Sequence, residues 1–118
     1  MVVVANPKSG VEHLGIEDVI NIFMGRYRVL PNNLAALPVD LPAADAARDR
    51  FYLRLMGKDQ AQINAYWARL IFSGRTTPPQ QMEGTEDAIR YVATHRGGLA
   101  YMDRSQVDGR VRIVLDLQ

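Results

Sequence analysis

The chain has 118 residues, of which 47% are hydrophobic, 23% charged and 8% aromatic, a balance typical of globular chains and unlike disordered or fibrous ones. Its length suits one domain spanning residues 1–118, and a net charge of +1 with fourteen scattered Lys and Arg argues against generic nucleic-acid binding. The absence of cysteine excludes disulfides, thiolate metal sites and a cysteine nucleophile, and no apolar stretch approaches the roughly 18 to 20 residues of a membrane span.

Val2 to Ala5 form a continuous apolar run broken by Asn6-Pro7, the pattern of a short strand covered on both faces. Ile16, Val19, Ile20, Phe23 and Met24 then recur at helical spacing, with Glu17 and Asp18 in the first turn and Gly25 suited to the left-handed stop. Residues 26–41 carry Pro31, Asn32, Asn33 and Pro38 and read as irregular chain, with an extended piece at Leu37 to Leu41. Pro42 fits the first turn of a helix reaching Met56 and stopped by Gly57. A third helix follows, capped by Asp59 with Gln62 reaching back, buried through Ile63, Tyr66, Trp67, Leu70 and Ile71, and ended by Ser73-Gly74. The stretch RTTPPQQMEG reads as a loop. Thr85 can cap a fourth helix with acids in its first turn, His95 and Arg96 in its last, and Gly97 as its stop. Gly98 to Met102 and Arg110 to Leu117 read as strands joined by the turn DRSQVDG. This order predicts an α/β domain, a small mixed sheet with helices on its faces.

Chemistry is sparse along this chain. His13 and His95 have no acidic or histidine neighbour at metal-ligand spacing and read as surface residues, His95 complementing a helix end. No nucleophile elbow, phosphate loop or dinucleotide fingerprint appears, which sets hydrolase, nucleotide-binding and metalloenzyme readings aside. Asp45 and Asp49, four apart among Arg48, Arg50 and Arg54, read as a solvated, salt-bridged helix face. Tyr66, Trp67 and Phe72 read as core. Two loops carry what an oxyanion needs, namely backbone N–H groups, small residues and hydroxyl or cationic side chains: Asn6 to Gly10, and Ser73-Gly74-Arg75-Thr76-Thr77. Taken alone, each is better explained as a plain connecting turn, because Ser, Gly, Asn and Pro are also the default turn residues.

Taken together, VVVANP, the helix IEDVINIFMG, the segment YWARLIFSGRTTPP and the stretch AIRYVATHRGGLAYMD resemble the phosphate-binding proteins of ABC uptake systems. These have the type 2 periplasmic-binding-protein-like fold, and the likeness is to a small subgroup with one lobe. The resemblance implies an exported, periplasmic protein whose signal peptide has been removed, with no enzymatic activity, no cofactor and phosphate or another oxyanion as ligand. It places candidate ligand contacts at Asn6, Ser9, Gly10, Arg48, Ser73, Arg75 and Thr76.

The chain departs from the family's pattern in two respects. Its length suits one lobe where full-length relatives close two over the anion. Where they carry an Arg and a Ser-Gly-rich stretch leading into a phosphate-gripping helix, it has VDLPAADAARDRF, with Asp40 and Asp45 of the wrong charge and Arg48 the single substitute donor. Two functions are therefore expected: an oxyanion-binding lobe serving an ABC transporter, or an envelope interaction module, alone or as a homo-oligomer, that kept the fold and lost the ligand.

Overall fold

A computed structural model describes residues 1–74 and 76–118. Its strands are β1 (Val2–Ala5), β2 (Leu37–Asp40), β3 (Gln80–Gln81), β4 (Gly98–Met102) and β5 (Arg112–Asp116), and its helices α1 (Ile16–Phe23), α2 (Ala46–Met56), α3 (Gln60–Ser73) and α4 (Thr85–Thr94). The strands form one mixed sheet in the order β3-β2-β4-β1-β5. β1 runs antiparallel to β4 and β5, whereas β2 runs parallel to β4 and β3.

All four residues of β1 are fully buried, as an apolar run without alternation requires. Val3 and Ala5 face a core built with Val19, Phe23, Phe51, Tyr52 and Ile63 of α1, α2 and α3. Val2 and Val4 face a second core built with Ala88, Ile89 and Val92 of α4. Helices thus cover both faces of the sheet, the α/β arrangement expected from the sequence.

Several boundaries differ from the sequence reading, each for a local reason. Helix α2 starts at Ala46 and not at Pro42, because the Asp45 side chain caps it by accepting from Ala47 N–H at 2.9 Å, while Asp45 N–H closes a turn onto the Pro42 carbonyl. In α4 the cap is Gly84, Thr85 is the first helical residue, and the helix stops at Thr94. Gln80-Gln81, read as loop, adds a strand beside Val39-Asp40; two polar residues carry no periodicity from which to infer it. Phe72, read as core, is 95% exposed, since α3 buries itself through Ile63 and Trp67.

In β5 the sequence alternates Val111, Ile113, Leu115 and Leu117 against Arg112, Val114 and Asp116, but that alternation does not hold in the sheet, because the register against β1 shifts between Val3 and Val4. Ile113 packs with the α4-side core while Val114 and Leu115 both pack with the other, as a bulge allows. The capping box of Asp59 and Gln62 on α3 and the left-handed Gly25 and Gly74 after α1 and α3 match the sequence reading. Among the described residues no helix is long and apolar enough to cross a membrane.

Candidate functional site

Strand pairing decides which of the candidate residues can meet. Ala5 lies opposite Leu99 and Leu37 opposite Gly98, so the Asn6 to Gly10 loop leaves the sheet where β2 and β4 begin. Asp40 and the start of α2 lie at the other end of those strands. The Asn6 loop and Arg48 are therefore separated by the length of the sheet.

The donors of the Asn6 loop are largely engaged within the fold. Asn6 Nδ2 donates to the carbonyls of Val92 and Ala93 at 2.8 and 3.1 Å, tying β1 to the end of α4, and Asn6 Oδ1 accepts from Lys8 N–H at 2.7 Å. Ser9 N–H donates to the Asn6 carbonyl at 2.9 Å, and Ser9 Oγ accepts from Val11 N–H at 3.1 Å. Gly10 takes φ +83°, and a Cβ there would stand 3.0 Å from Asn32 Nδ2, which donates to the Ser9 carbonyl. Beside this turn a shallow groove of about 430 Å³ is lined by Asn6, Lys8, Arg96 and Arg110. Arg110 is already held by Glu86 and Asp108, whose carboxyls are both lowered from their ordinary values, that of Asp108 to about 2, because Arg110 hydrogen-bonds to each.

The second candidate loop contributes Gly74 and Thr76 to a cleft of about 790 Å³, alongside Tyr27, Arg28, Leu37 and Tyr91. Ser73 is not among its lining residues; its hydroxyl donates to the Leu70 carbonyl at 2.9 Å on the exposed end of α3. Arg75 lies outside the described residues.

Arg48, read from the sequence as part of a solvated face, is more than nine-tenths buried. Its Nε lies 3.4 Å from Asp40 Oδ1, its Nη1 donates to Gln60 Oε1 at 2.8 Å, and its guanidinium sits 5.6 Å from the Tyr52 ring centroid. Asp40 is the hub of this cluster. Its Oδ1 accepts from Tyr101 Oη–H and from Leu41 N–H at 2.9 Å, and its Oδ2 accepts from Tyr52 Oη–H at 2.8 Å. Burial, and then the neighbouring Asp40 charge, push both phenols above their ordinary value of 10.0, so each stays protonated and donates. Phe51 stacks on Tyr101 at 3.9 Å and packs edge-on to Phe23 at 5.1 Å, fixing the tyrosines from behind.

This arrangement has the parts of an oxyanion site: a helix start, a buried arginine and converging hydroxyl and backbone donors. The oxyanion that fills it belongs to the chain itself. Sequence reasoning marked Asp40 as the wrong charge but missed Tyr52 and Tyr101, whose partnership with Asp40 spans 12 and 61 residues. A polar tip on an otherwise apolar strand, VDL, was the available signal.

Fold and cluster together describe a single α/β lobe whose buried carboxylate is satisfied from within the chain. No protein-family model and no curated protein matches the chain, but solved structures do. One is described as a phosphate ABC transporter substrate-binding protein, from Clostridium perfringens, with bound phosphate; it is 16% identical, with a TM-score of 0.75 over 96% of this chain and 43% of its own. Another is an ABC-type phosphate transport receptor from Vibrio cholerae, 13% identical, with a TM-score of 0.75 over 96% of this chain and 44% of its own. The chain spans less than half the length of these structures, and at such identities the likeness is one of fold: the chain has the fold of one lobe of phosphate substrate-binding proteins.

Proposed function

We propose that the chain is a non-enzymatic, exported module of the solute-binding kind, one domain over residues 1–118, that works in the envelope by contact and not by gripping phosphate. The observation that supports this reading is Asp40: its carboxylate takes the donors of Arg48, Tyr52, Tyr101 and Leu41 that an oxyanion would need. A phosphate brought to Arg48 would meet that carboxylate at close range in a partly buried place, where like charges repel strongly. Partners are envelope proteins, an ABC transporter or a second copy of the chain.

The oxyanion reading keeps one foothold, the groove where Asn6, Lys8 and Arg96 meet, with Ser9 and Gly10 in the adjoining turn; Thr76 lines the separate cleft. Thermal unfolding at low ionic strength with millimolar phosphate or sulfate separates the two readings. A ligand at about 100 times its dissociation constant adds about 2.7 kcal/mol of stability. The expected result is no shift for the natural chain and a phosphate-dependent shift for Asp40→Asn, which removes the internal charge. A clear shift in the natural chain overturns the contact reading, and its loss in Lys8→Ala would assign it to the groove. Cell fractionation should recover the chain in the periplasm.

A further inference from the structure

The cleft of about 790 Å³ runs between the end of α1, the start of β2, the end of α3 and Pro78-Pro79. Its walls are pinned from several sides. Tyr66 Oη–H donates to the Met24 carbonyl at 2.8 Å, which ties α3 to the end of α1. Gly25, which lines the cleft, takes φ +78°, and a Cβ there would stand 3.0 Å from the Trp67 ring and 3.1 Å from Thr76 Oγ1. On the β2 side, Ala36 N–H donates to the Arg28 carbonyl at 3.0 Å and Leu37 N–H to the Gly97 carbonyl at 2.8 Å, holding the backbone of Arg28 to the start of the strand. A cleft held this way is formed before anything enters it, which lowers the ordering cost of binding.

Three large apolar side chains of the lining, Tyr27, Leu37 and Ile71, are 49%, 37% and 53% exposed. Apolar surface gathered in one concavity, unlike singly scattered residues, marks a place that another surface covers. Among the described residues Arg28 is the one charged member of the lining; it is exposed, and its guanidinium enters no ion pair or hydrogen bond with them. Its neighbours are already engaged, Arg26 with Asn21 Oδ1 at 3.2 Å and Asp18 with Gly15 N–H at 3.1 Å. Thr76, Thr77, Gln80 and Tyr91 complete the polar lining with neutral groups that both donate and accept, so they suit the backbone of an entering segment and leave the choice of charge to Arg28.

These features select among occupants. A free anion would meet a single exposed cation in water, where screening and hydration remove most of the attraction. A second copy meeting this face about a two-fold axis would bring its own Arg28 to the same interface, and among the described residues the lining holds no carboxylate to answer either. A membrane surface asks for several cations together, and here there is one, set in a concavity. We propose that the cleft docks an extended segment of a partner protein in which a carboxylate adjoins an apolar side chain: the apolar group meets Tyr27, Leu37 and Ile71, and the carboxylate meets Arg28. This deepens the contact reading above and rests on it.

The probe is the blocked tripeptide acetyl-Glu-Leu-Phe-amide, titrated into the isotope-labelled chain and followed by backbone amide chemical shifts, alongside counterparts with Gln or Lys in place of its Glu. The expected result is saturable shifts at Gly25, Arg28, Leu37 and Thr76, with the Gln peptide about threefold weaker, the size of one exposed ion pair, and the Lys peptide weaker still. In Arg28→Gln the Glu and Gln peptides should bind alike, a result that a merely structural Arg28 would not give. Ile71→Asp, at an exposed position, should abolish binding while leaving the unfolding midpoint close to that of the natural chain. No saturable shift, equal binding of the Glu and Gln peptides to the natural chain, or shifts confined to residues outside the cleft overturns this inference alone. So does concentration-dependent movement of the cleft amides without peptide, which assigns the cleft to a second copy. Cosedimentation with phosphatidylglycerol vesicles that is lost in Arg28→Gln overturns it too, assigning the cleft to a membrane. Saturable shifts with inorganic phosphate in the natural chain overturn it together with the contact reading.

Discussion

Asp40 is the residue on which the stability of the buried polar cluster turns, since Arg48, Tyr52, Tyr101 and Leu41 all meet its carboxylate. Side chains of Arg48 and Asp40 are about one-tenth exposed, at 10% and 9%, so neither charge can fall back on water if the other is removed. Asp40→Ala should therefore cost about 3 kcal/mol in urea unfolding, and adding Arg48→Met should recover part of that loss by removing the stranded cation. The two tyrosines give an independent test. Because their pKa values are raised above 10.0 in the folded chain, their contribution is complete below that value and declines as pH rises past it. Unfolded tyrosines then ionise while the folded ones keep their protons. Stability should fall between pH 10 and 11.5, each tyrosine contributing a slope of about 1.4 kcal/mol per pH unit, and Tyr52→Phe should halve that slope. Little of this was legible beforehand. Helical spacing places Tyr52 beside Arg48, but nothing local tells that Tyr101, on a strand 61 residues from Asp40, closes the cluster.

At the scale of elements, legibility follows how local the determining interaction is. The Asp59 cap with Gln62 is settled within three residues, and the left-handed stop of Gly74 within one turn, so both were readable. The β5 bulge and the two-residue strand β3 are settled by their neighbours in the sheet, Val3-Val4 and Val39-Asp40, which no window along the chain contains. Gly97 shows the same divide. The sequence reading made it a helix stop, yet α4 ends at Thr94, and what Gly97 provides is a close approach: a Cβ there would stand 1.8 Å from the Ala35 carbonyl oxygen. That contact lies where Leu37 N–H donates to the Gly97 carbonyl at 2.8 Å and β2 joins β4. Gly97→Ala should push the two chains apart and cost about 3 kcal/mol, read as a lower urea midpoint. Gly109→Ala, with nothing within 4 Å of its Cβ, serves as the neutral control.

Over the whole molecule, the order β3-β2-β4-β1-β5 grades stability from the centre of the sheet to its edges. β1 hydrogen-bonds on both sides, carries no exposed residue and sits between two cores, so its amides cannot exchange without opening both. β3 is two exposed residues held by β2 on one side and preceded by Pro78-Pro79, a short edge of the kind that discourages pairing with other chains. Native-state hydrogen exchange should therefore find Val3 and Val4 protected to the free energy of global unfolding, a value of about 5 to 15 kcal/mol for a domain of this kind, and Gln81 and Met82 exchanging through local opening far below it.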